Sequence, residues 1–401
     1  MSDFLAANAG ILIALIKVVV VILVLLTAVA YLTWFERKVV AHMQSRWGPE
    51  RVGPHGLLQP LADGAKFLFK EDPTPAGIDR FVYFFAPFLA LSLALSTIAV
   101  IPLGPEKIVI FGRSTWLSVA ELKISLLVVF AITALSVYGV ALAGWASNSK
   151  YPLLGGLRSS AQMLSYELSL TMSVVGIVLL TNTFSLRDIV DDQRGGISHW
   201  FVFPQIVGFV CFFISALAET NRVPFDLPEA ETELVAGFHT EYASFKFAMF
   251  FMAEYAAMVT VSFMVAVLFF GGYFSPFPET RTFLLTHYLP AAGGVIGGVL
   301  LFLHGLRYHT ALGRIILPLV GMALVGAGIL CGHPAVIEHI QGPFWLLTKV
   351  ATVLFVYVWV RGTLPRFRYD QLMGFGWKFL LPLSLANVLI TSLIVALRPA
   401  Q

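Results

Sequence analysis

The sequence predicts an all-α integral membrane protein, a multi-span helical bundle that forms a single membrane domain over residues 1–401. Its residues are 58% hydrophobic and only 12% charged, which is typical of a chain that resides in lipid. Apolar runs of roughly 20 residues recur along it, and that length crosses a bilayer as a helix. The runs lack the alternation of barrel strands, so helices are the backbone we expect to span.

Ten apolar runs predict ten helices. They lie near residues 11–34, 82–102, 121–146, 162–182, 200–219, 243–271, 290–305, 312–332, 343–361 and 377–397. The first run lacks a basic flank and a convincing small-residue cleavage site, so we expect it to be a retained span. The run at 290–305 is the shortest of the ten.

Lysine and arginine in the connections predict the orientation. The first connection with its flanks holds seven of these residues, and the ninth with its flanks holds four. The even-numbered connections hold two or fewer each. We therefore expect the odd-numbered connections in the cytoplasm, with the N-terminus on the non-cytoplasmic side of the cell inner membrane.

The first connection contains a predicted short helix at the membrane surface. Gly48-Pro49 and Gly53-Pro54 fix turns before it. The string LLQPLADGAKFLFK at 57–70 then spaces its apolar residues for one helix face, with Asp63 among the polar positions. That pattern is typical of an interfacial helix.

Carboxylates are concentrated where a bilayer makes them costly. Glu167, Glu219 and Glu254 fall in or at the ends of apolar runs, and an ionised carboxylate at mid-membrane costs about 2.5–3.5 kcal/mol. The alternative is a structural acid that is hydrogen-bonded within the bundle. Three such acids in adjacent spans favour a role in handling protons or cations.

Several classes of function are disfavoured by composition. The two cysteines, Cys211 and Cys331, cannot hold an iron–sulfur cluster alone, and no two spans place histidines at facing mid-membrane depths for haem. A net charge of +3 is too small to indicate a nucleic-acid partner. We therefore expect no redox centre and no metal site in this chain.

Five strings carry a resemblance to a known family. They are ERK at 36–38, RWGPERVGPHGLLQPLADGAKFLFKE at 46–71, GWASNSKYPLLGGLRSSAQMLSYELSL at 144–170, AETNRVPFDLPEAETELVAGF from Ala218, and RGTLPRFRYDQLM from Arg361. They closely resemble the H subunit of bacterial NADH–quinone oxidoreductase, which is subunit 1 of mitochondrial complex I.

The resemblance implies an eight-helix membrane subunit of a proton-translocating NADH:quinone oxidoreductase. Such a subunit forms the quinone access channel and chamber with the hydrophilic arm, and it couples quinone reduction to proton translocation. Quinone would be the substrate, while NADH, FMN and iron–sulfur clusters would belong to partner subunits. The implied partners are connecting-arm subunits, small membrane subunits, antiporter-like subunits and membrane lipid.

The resemblance also implies two sets of site residues, none of which makes or breaks bonds in the substrate. The quinone-chamber lining would comprise Glu36, Arg37, Asp63, Arg222, Phe225, Glu229, Glu231, Glu233, Arg361 and Arg366. The proton path would comprise Glu167, Glu219, Glu241 and Glu254. Without the resemblance, the basic residues at the membrane boundary would be topology anchors more often than ligands.

The chain departs from the eight-helix pattern at 279–340, where two extra helices are expected. An even number of added spans leaves the last two spans in their original orientation. We expect the added segment to be a peripheral insertion.

Two other functions are left open by the residues. One is the equivalent membrane subunit of an ion-pumping hydrogenase or formate hydrogenlyase, although the full RVGPHGLLQPLADG loop favours the quinone enzyme. The other is a stand-alone proton or cation transporter, which would be expected to show an inverted repeat that this sequence lacks.

Overall fold

A computed structural model describes residues 2–105, 107–110, 113–226, 235–278, 286–308 and 310–397. Its helices are α1 (Ser2–Met43), α2 (Gln59–Phe69), α3 (Arg80–Ser96), α4 (Ser125–Ala146), α5 (Lys150–Thr181), α6 (Leu186–Asp191), α7 (Ile206–Glu219), α8 (Ser244–Phe269), α9 (Leu289–Leu306), α10 (Ala311–Cys331), α11 (Pro334–Thr363), α12 (Tyr369–Phe375) and α13 (Leu381–Leu397). The all-α prediction is confirmed. A pair of short antiparallel strands, β1 (Lys107–Ile110) and β2 (Arg113–Trp116), is confined to the second connection.

Nine helical segments in the described ranges are long and apolar enough to cross a membrane. One of them joins α12 to α13 through a π-helical turn at Gly376–Leu380. The fifth predicted helix is shorter than expected, because α7 begins at Ile206 and has 14 residues. At 1.5 Å per residue it is about 21 Å long, less than the roughly 30 Å of a hydrocarbon core.

The odd-numbered connections meet at one end of the bundle, which we call the odd face. The amide of Asn148 in the third connection donates to Gly77 O in the first at 3.1 Å. The backbone N–H of Phe367 in the ninth donates to Pro224 O in the fifth at 3.1 Å. Tyr308, which follows α9, accepts from the first connection as well.

The even-numbered connections meet at the opposite end, the even face. Arg187 in the fourth connection pairs with Glu121 in the second at 2.7 Å, and Ile197 N donates to Pro276 O in the sixth at 3.0 Å. The run at 290–305 thus forms a helix that leads from one face to the other. The cytoplasmic location of the odd face stays a prediction.

Helix α8 occupies the centre of the bundle. In its most apolar window 78% of the residues are buried, against at most 44% in the other candidate spans. It packs against α1, α2, α3, α7 and α11. Residues on α8 can therefore contact side chains from several connections of the odd face.

The hairpin of α9 and α10 is held together by glycines. A Cβ on Gly298 would lie 2.7 Å from Gly321 O, and a Cβ on Gly328 would lie 2.7 Å from Val295 N. Glycine allows this close approach of two helix backbones, a common arrangement in membranes. Much of the remaining hairpin surface is apolar and exposed, including Ile296 and Ile315.

Candidate functional site

Glu36, near the end of α1, is buried between two donors. Only 7% of the surface of Glu36 is exposed. One carboxylate oxygen accepts a hydrogen bond from the Tyr255 hydroxyl at 2.8 Å, and the other pairs with the Arg361 guanidinium at the end of α11. A buried carboxylate is tolerated when it is both paired and hydrogen-bonded in this way.

Tyr255 also contacts Arg222, which follows α7 in the fifth connection. The guanidinium carbon of Arg222 lies 4.2 Å from the centre of the Tyr255 ring, a cation–π contact. Arg222 Nη2 lies 3.2 Å from Glu254 Oε2. Tyr255 therefore contacts the Glu36 carboxylate with its hydroxyl and the Arg222 guanidinium, which pairs with Glu254, with its ring.

The segment that follows Arg222 is attached to the ninth connection. Arg366 donates to Asp226 Oδ2 at 3.0 Å, and the rings of Phe225 and Phe367 stack with centroids 5.5 Å apart. Gln162, in α5, fixes the other side by donating to Phe225 O at 2.8 Å. The first two contacts therefore connect the segment of Phe225 and Asp226 to that of Arg366 and Phe367.

The surface helix α2 joins the same region, and its predicted location in the first connection is confirmed. Arg37 pairs with Asp63 at 2.7 Å, with side chains 48% and 27% exposed. At the end of α2, Ser244 Oγ donates to Phe67 O at 2.7 Å. The buried ammonium of Lys246 lies 3.0 Å from Asp72. The start of α8 is thus fixed against the first connection.

A cavity of about 80 Å³ separates the acids of α7 and α8. Glu219 and Glu254 line it together with polar side chains from α4, α8 and the segments after α3 and α7, among them Thr97, Thr133, Ser136, Asn221 and Thr260. One buried water needs roughly 10–15 Å³, so the cavity has room for several. Glu167 lies close enough to Glu219 for their charges to interact.

A second cavity is larger and almost wholly apolar. It measures about 800 Å³ and runs between α1, α8 and α11. Along α1 it extends from Ile16 to Phe35, the residue before Glu36. Val259 and Val350 contribute to the opposite wall. The cavity therefore leads along the membrane depth toward the buried Glu36 pair.

The predicted residues are only partly assembled by these contacts. Glu36, Arg222, Arg361 and Glu254 form one connected set, and Glu219 shares a cavity with Glu254. Glu241 does not line that cavity; the contact described for it is its backbone carbonyl, which accepts from Tyr83 Oη at 2.7 Å. The predicted residues Glu229, Glu231 and Glu233 lie outside the described residues.

Sequence reasoning missed Tyr255 and Asp226. Tyr255 stands beside the intramembrane acid in the string AEY, and Asp226 stands beside Phe225 in PFD. The available signal was a hydroxyl adjacent to a costly charge for Tyr255 and an acid between apolar residues for Asp226. Neither partner could be named from it, because the partners come from the distant segments at Glu36 and Arg366.

The chain is similar in sequence to known proteins along nearly its whole length. A family model described as NADH dehydrogenase matches residues 16–392. A relative in Solibacter usitatus (strain Ellin6076), the H 1 subunit of NADH-quinone oxidoreductase, is 50% identical over 393 residues, which cover 97% of this chain and 98% of that relative. The H subunit of NADH-quinone oxidoreductase from Deinococcus radiodurans is 44% identical over 402 residues, which cover 100% of this chain and 87% of the relative.

Proposed function

This chain belongs to the NADH dehydrogenase family, as a membrane subunit of NADH-quinone oxidoreductase, and from that premise we propose that it forms a quinone access channel and chamber and couples quinone reduction to proton translocation. The family resemblance drawn from the motifs is confirmed.

The observation that carries the proposal is the position of Tyr255 between two buried ion pairs. On one side Glu36 pairs with Arg361, and on the other Arg222 pairs with Glu254. The hydroxyl and the ring of one tyrosine contact both pairs. A change of charge or position at the chamber pair would therefore reach the proton-path acid through direct contacts.

The large apolar cavity supports the quinone route. A quinone has a small polar head and a long apolar tail, so it requires an apolar passage that ends at polar groups. The cavity beside α1 has an apolar wall and ends at Trp34 and Phe35. Glu36 and Arg361 would then meet the head, and Arg37 and Asp63 would line the chamber on the side of α2.

The small cavity that Glu219 and Glu254 share supports the proton route. Glu219 and Glu254 face a space large enough for water, and hydroxyl groups such as Thr97 and Thr260, whose oxygens are 3.1 Å apart, line it. Glu167 would extend the route into α5. Glu219 is the last residue of α7 and borders this cavity, so a change of charge nearby would affect its protonation.

The electrostatic energy of a charge change in the chamber is large enough to alter the protonation of a nearby acid. Reduction of a quinone to the quinol consumes two protons, so the charge near the chamber changes during turnover. At an effective dielectric constant near 20, a unit charge about 10 Å away is worth about 1.7 kcal/mol. That exceeds the roughly 1.4 kcal/mol of one pKa unit. Glu254 and Glu219 could therefore gain or lose protons as the chamber is occupied and reduced.

The proposed surroundings follow from the same premise. The odd face would lie in the cytoplasm, against the connecting-arm subunits that deliver electrons, with NADH, FMN and iron–sulfur clusters held by partner subunits. Small membrane subunits and antiporter-like subunits would continue the proton route in the inner membrane.

Tyr255→Phe tests the proposal, because it removes the hydroxyl that contacts Glu36 and keeps the ring over Arg222. We expect the complex to assemble and to translocate fewer protons per NADH oxidised. A hydrogen bond to a charged group contributes about 1.5–3 kcal/mol, so the effect should be large. The measurement is the ratio of proton uptake to NADH oxidation in sealed vesicles.

Tyr273→Phe is the matched control. Tyr273 is also buried, and its hydroxyl also donates to a carboxylate, Asp191 Oδ1 at 2.6 Å, but it lies at the even face. The ratio of proton uptake to NADH oxidation in Tyr273→Phe should match that of the wild type. An unchanged ratio in Tyr255→Phe, or an equal fall in both variants, would refute the coupling role.

A further inference from the structure

We propose that the α9–α10 hairpin fixes the odd-face end of the large apolar cavity, through a contact of His304 and Tyr308 with His55. In this proposal His304 and Tyr308 are positioning residues, and His55 carries their effect to Trp34 in the cavity wall. The inference rests on the proposed function, because it concerns the passage that would admit the tail of a quinone.

Three of the contacts of His55 involve Tyr308, Trp34 and His304. Its backbone N–H donates to the Tyr308 hydroxyl at 3.0 Å, and its carbonyl accepts from Trp34 Nε1 at 3.1 Å. Its Nε2 lies 2.9 Å from His304 Nε2, with the two rings stacked at 5.1 Å. The hairpin supplies two of these contacts, and the cavity wall supplies the third.

The backbone of His55 needs such support. Its φ is 51° and its ψ is 24°, in the left-handed region that residues other than glycine rarely adopt. Backbone in that region persists where surrounding contacts fix it. Without the hairpin contacts, His55 would relax toward an ordinary conformation and would move the carbonyl that Trp34 binds.

The hairpin presents Tyr308 in a fixed position. The residue is 6% exposed, and its ring lies so close to Gly313 that a Cβ there would be 2.1 Å from the ring. Arg314 Nε donates to Tyr308 O at 2.7 Å. Because the tyrosine is already ordered by α10, binding His55 requires little further loss of side-chain freedom.

Trp34 connects this contact to the cavity. It lines the large cavity at its odd-face end, next to Phe35, and its indole N–H is the donor to His55 O. Release of that donor would allow the indole to reorient into the passage or away from it. We therefore expect weaker binding of quinones whose tails fill the passage, and a much smaller effect on quinones that have short tails.

The first experiment measures the contact itself by hydrogen exchange in the purified complex. Tyr308→Phe removes the hydroxyl that accepts the His55 N–H, and we expect that amide to exchange about five-fold faster, the effect of one ordinary hydrogen bond. Tyr288→Phe is the control, since Tyr288 loses the same hydroxyl just before the other end of α9. An unchanged exchange rate in Tyr308→Phe overturns the inference.

The second experiment measures KM and kcat for a long-tailed and a short-tailed quinone. In Tyr308→Phe and His304→Ala we expect KM for the long-tailed quinone to rise about five-fold, with kcat and the short-tailed KM near wild type. A purely structural defect would instead lower kcat for both substrates. Equal changes for both quinones, or none for either, overturn the inference.

Ala28→Trp separates failure of the inference from failure of the proposed function. Ala28 lines the same cavity from α1, and an indole there should obstruct it. If Ala28→Trp impairs the long-tailed quinone and the hairpin variants do not, the hairpin role alone is overturned. If Ala28→Trp has no effect, the cavity is not the quinone route and both proposals fall.

Discussion

The region around Tyr255 and the α9–α10 hairpin are both built from membrane helices, but different forces hold them. Around Tyr255, four buried or partly buried charged groups are paired across α1, α8, α11 and the fifth connection. In the hairpin, glycine backbones touch and the outward side chains are apolar. Buried charge is costly in lipid, whereas glycine packing is not. The bundle therefore carries the costly arrangement in the region that we propose for coupling and the inexpensive one in the hairpin.

The largest expected effect comes from Arg222→Met. It removes the guanidinium that contacts Glu254, and loss of one partner from a buried ion pair destabilises by about 3–5 kcal/mol. We expect poor assembly of the complex or loss of quinone reductase activity. The measurements are the yield of intact complex, its thermal midpoint and its NADH:quinone activity.

Arg368→Met provides the comparison for that variant. Arg368 and Asp370 are 3.9 Å apart, with side chains 79% and 75% exposed, and exposed pairs contribute about 0–1 kcal/mol. If the two methionine variants behaved alike, buried pairing would not be what distinguishes the region around Tyr255.

An intermediate effect is expected from Glu219→Gln combined with Glu254→Gln. Glutamine keeps the size of each side chain and removes its ability to release a proton, so the complex should assemble and proton translocation should fall. Proton uptake by sealed vesicles during NADH oxidation measures this. Glu121→Gln, at the even face and 42% exposed, should pump normally. Wild-type pumping by the double variant would remove the acids from the proton path.

The smallest effect on catalysis is expected in the hairpin. Gly298→Leu places a side chain against Gly321 O, and overpacking of this kind costs about 1–3 kcal/mol. Gly297→Leu changes the adjacent residue, where a Cβ would meet nothing within 4 Å. We expect a lower thermal midpoint only for Gly298→Leu, with kcat preserved in both. Complete loss of quinone turnover in Gly298→Leu would place the hairpin in the chamber and end the contrast.

The helices and their order could be predicted from the sequence because their signals are local. The length of an apolar run and the distribution of lysine and arginine are properties of the segment itself. The boundary of α7 was predicted less well, because the helix was expected from residue 200 and begins at Ile206. Gln205, just before it, is tied to α13 by Thr391 at 2.8 Å and Asn387 at 2.7 Å. The sequence near Gln205 does not predict either partner.

The candidate site divides in the same way. Residue type and membrane position alone marked Glu219 and Glu254 as unusual, because an acid in an apolar run is costly wherever it is found. The identity of each partner was decided only by the tertiary structure. Glu36 and Arg361 are 325 residues apart in the chain, and the hydroxyl and ring of Tyr255 have separate partners on α1 and after α7. The packing of helices around α8 makes those contacts, since it brings distant segments within reach of one side chain.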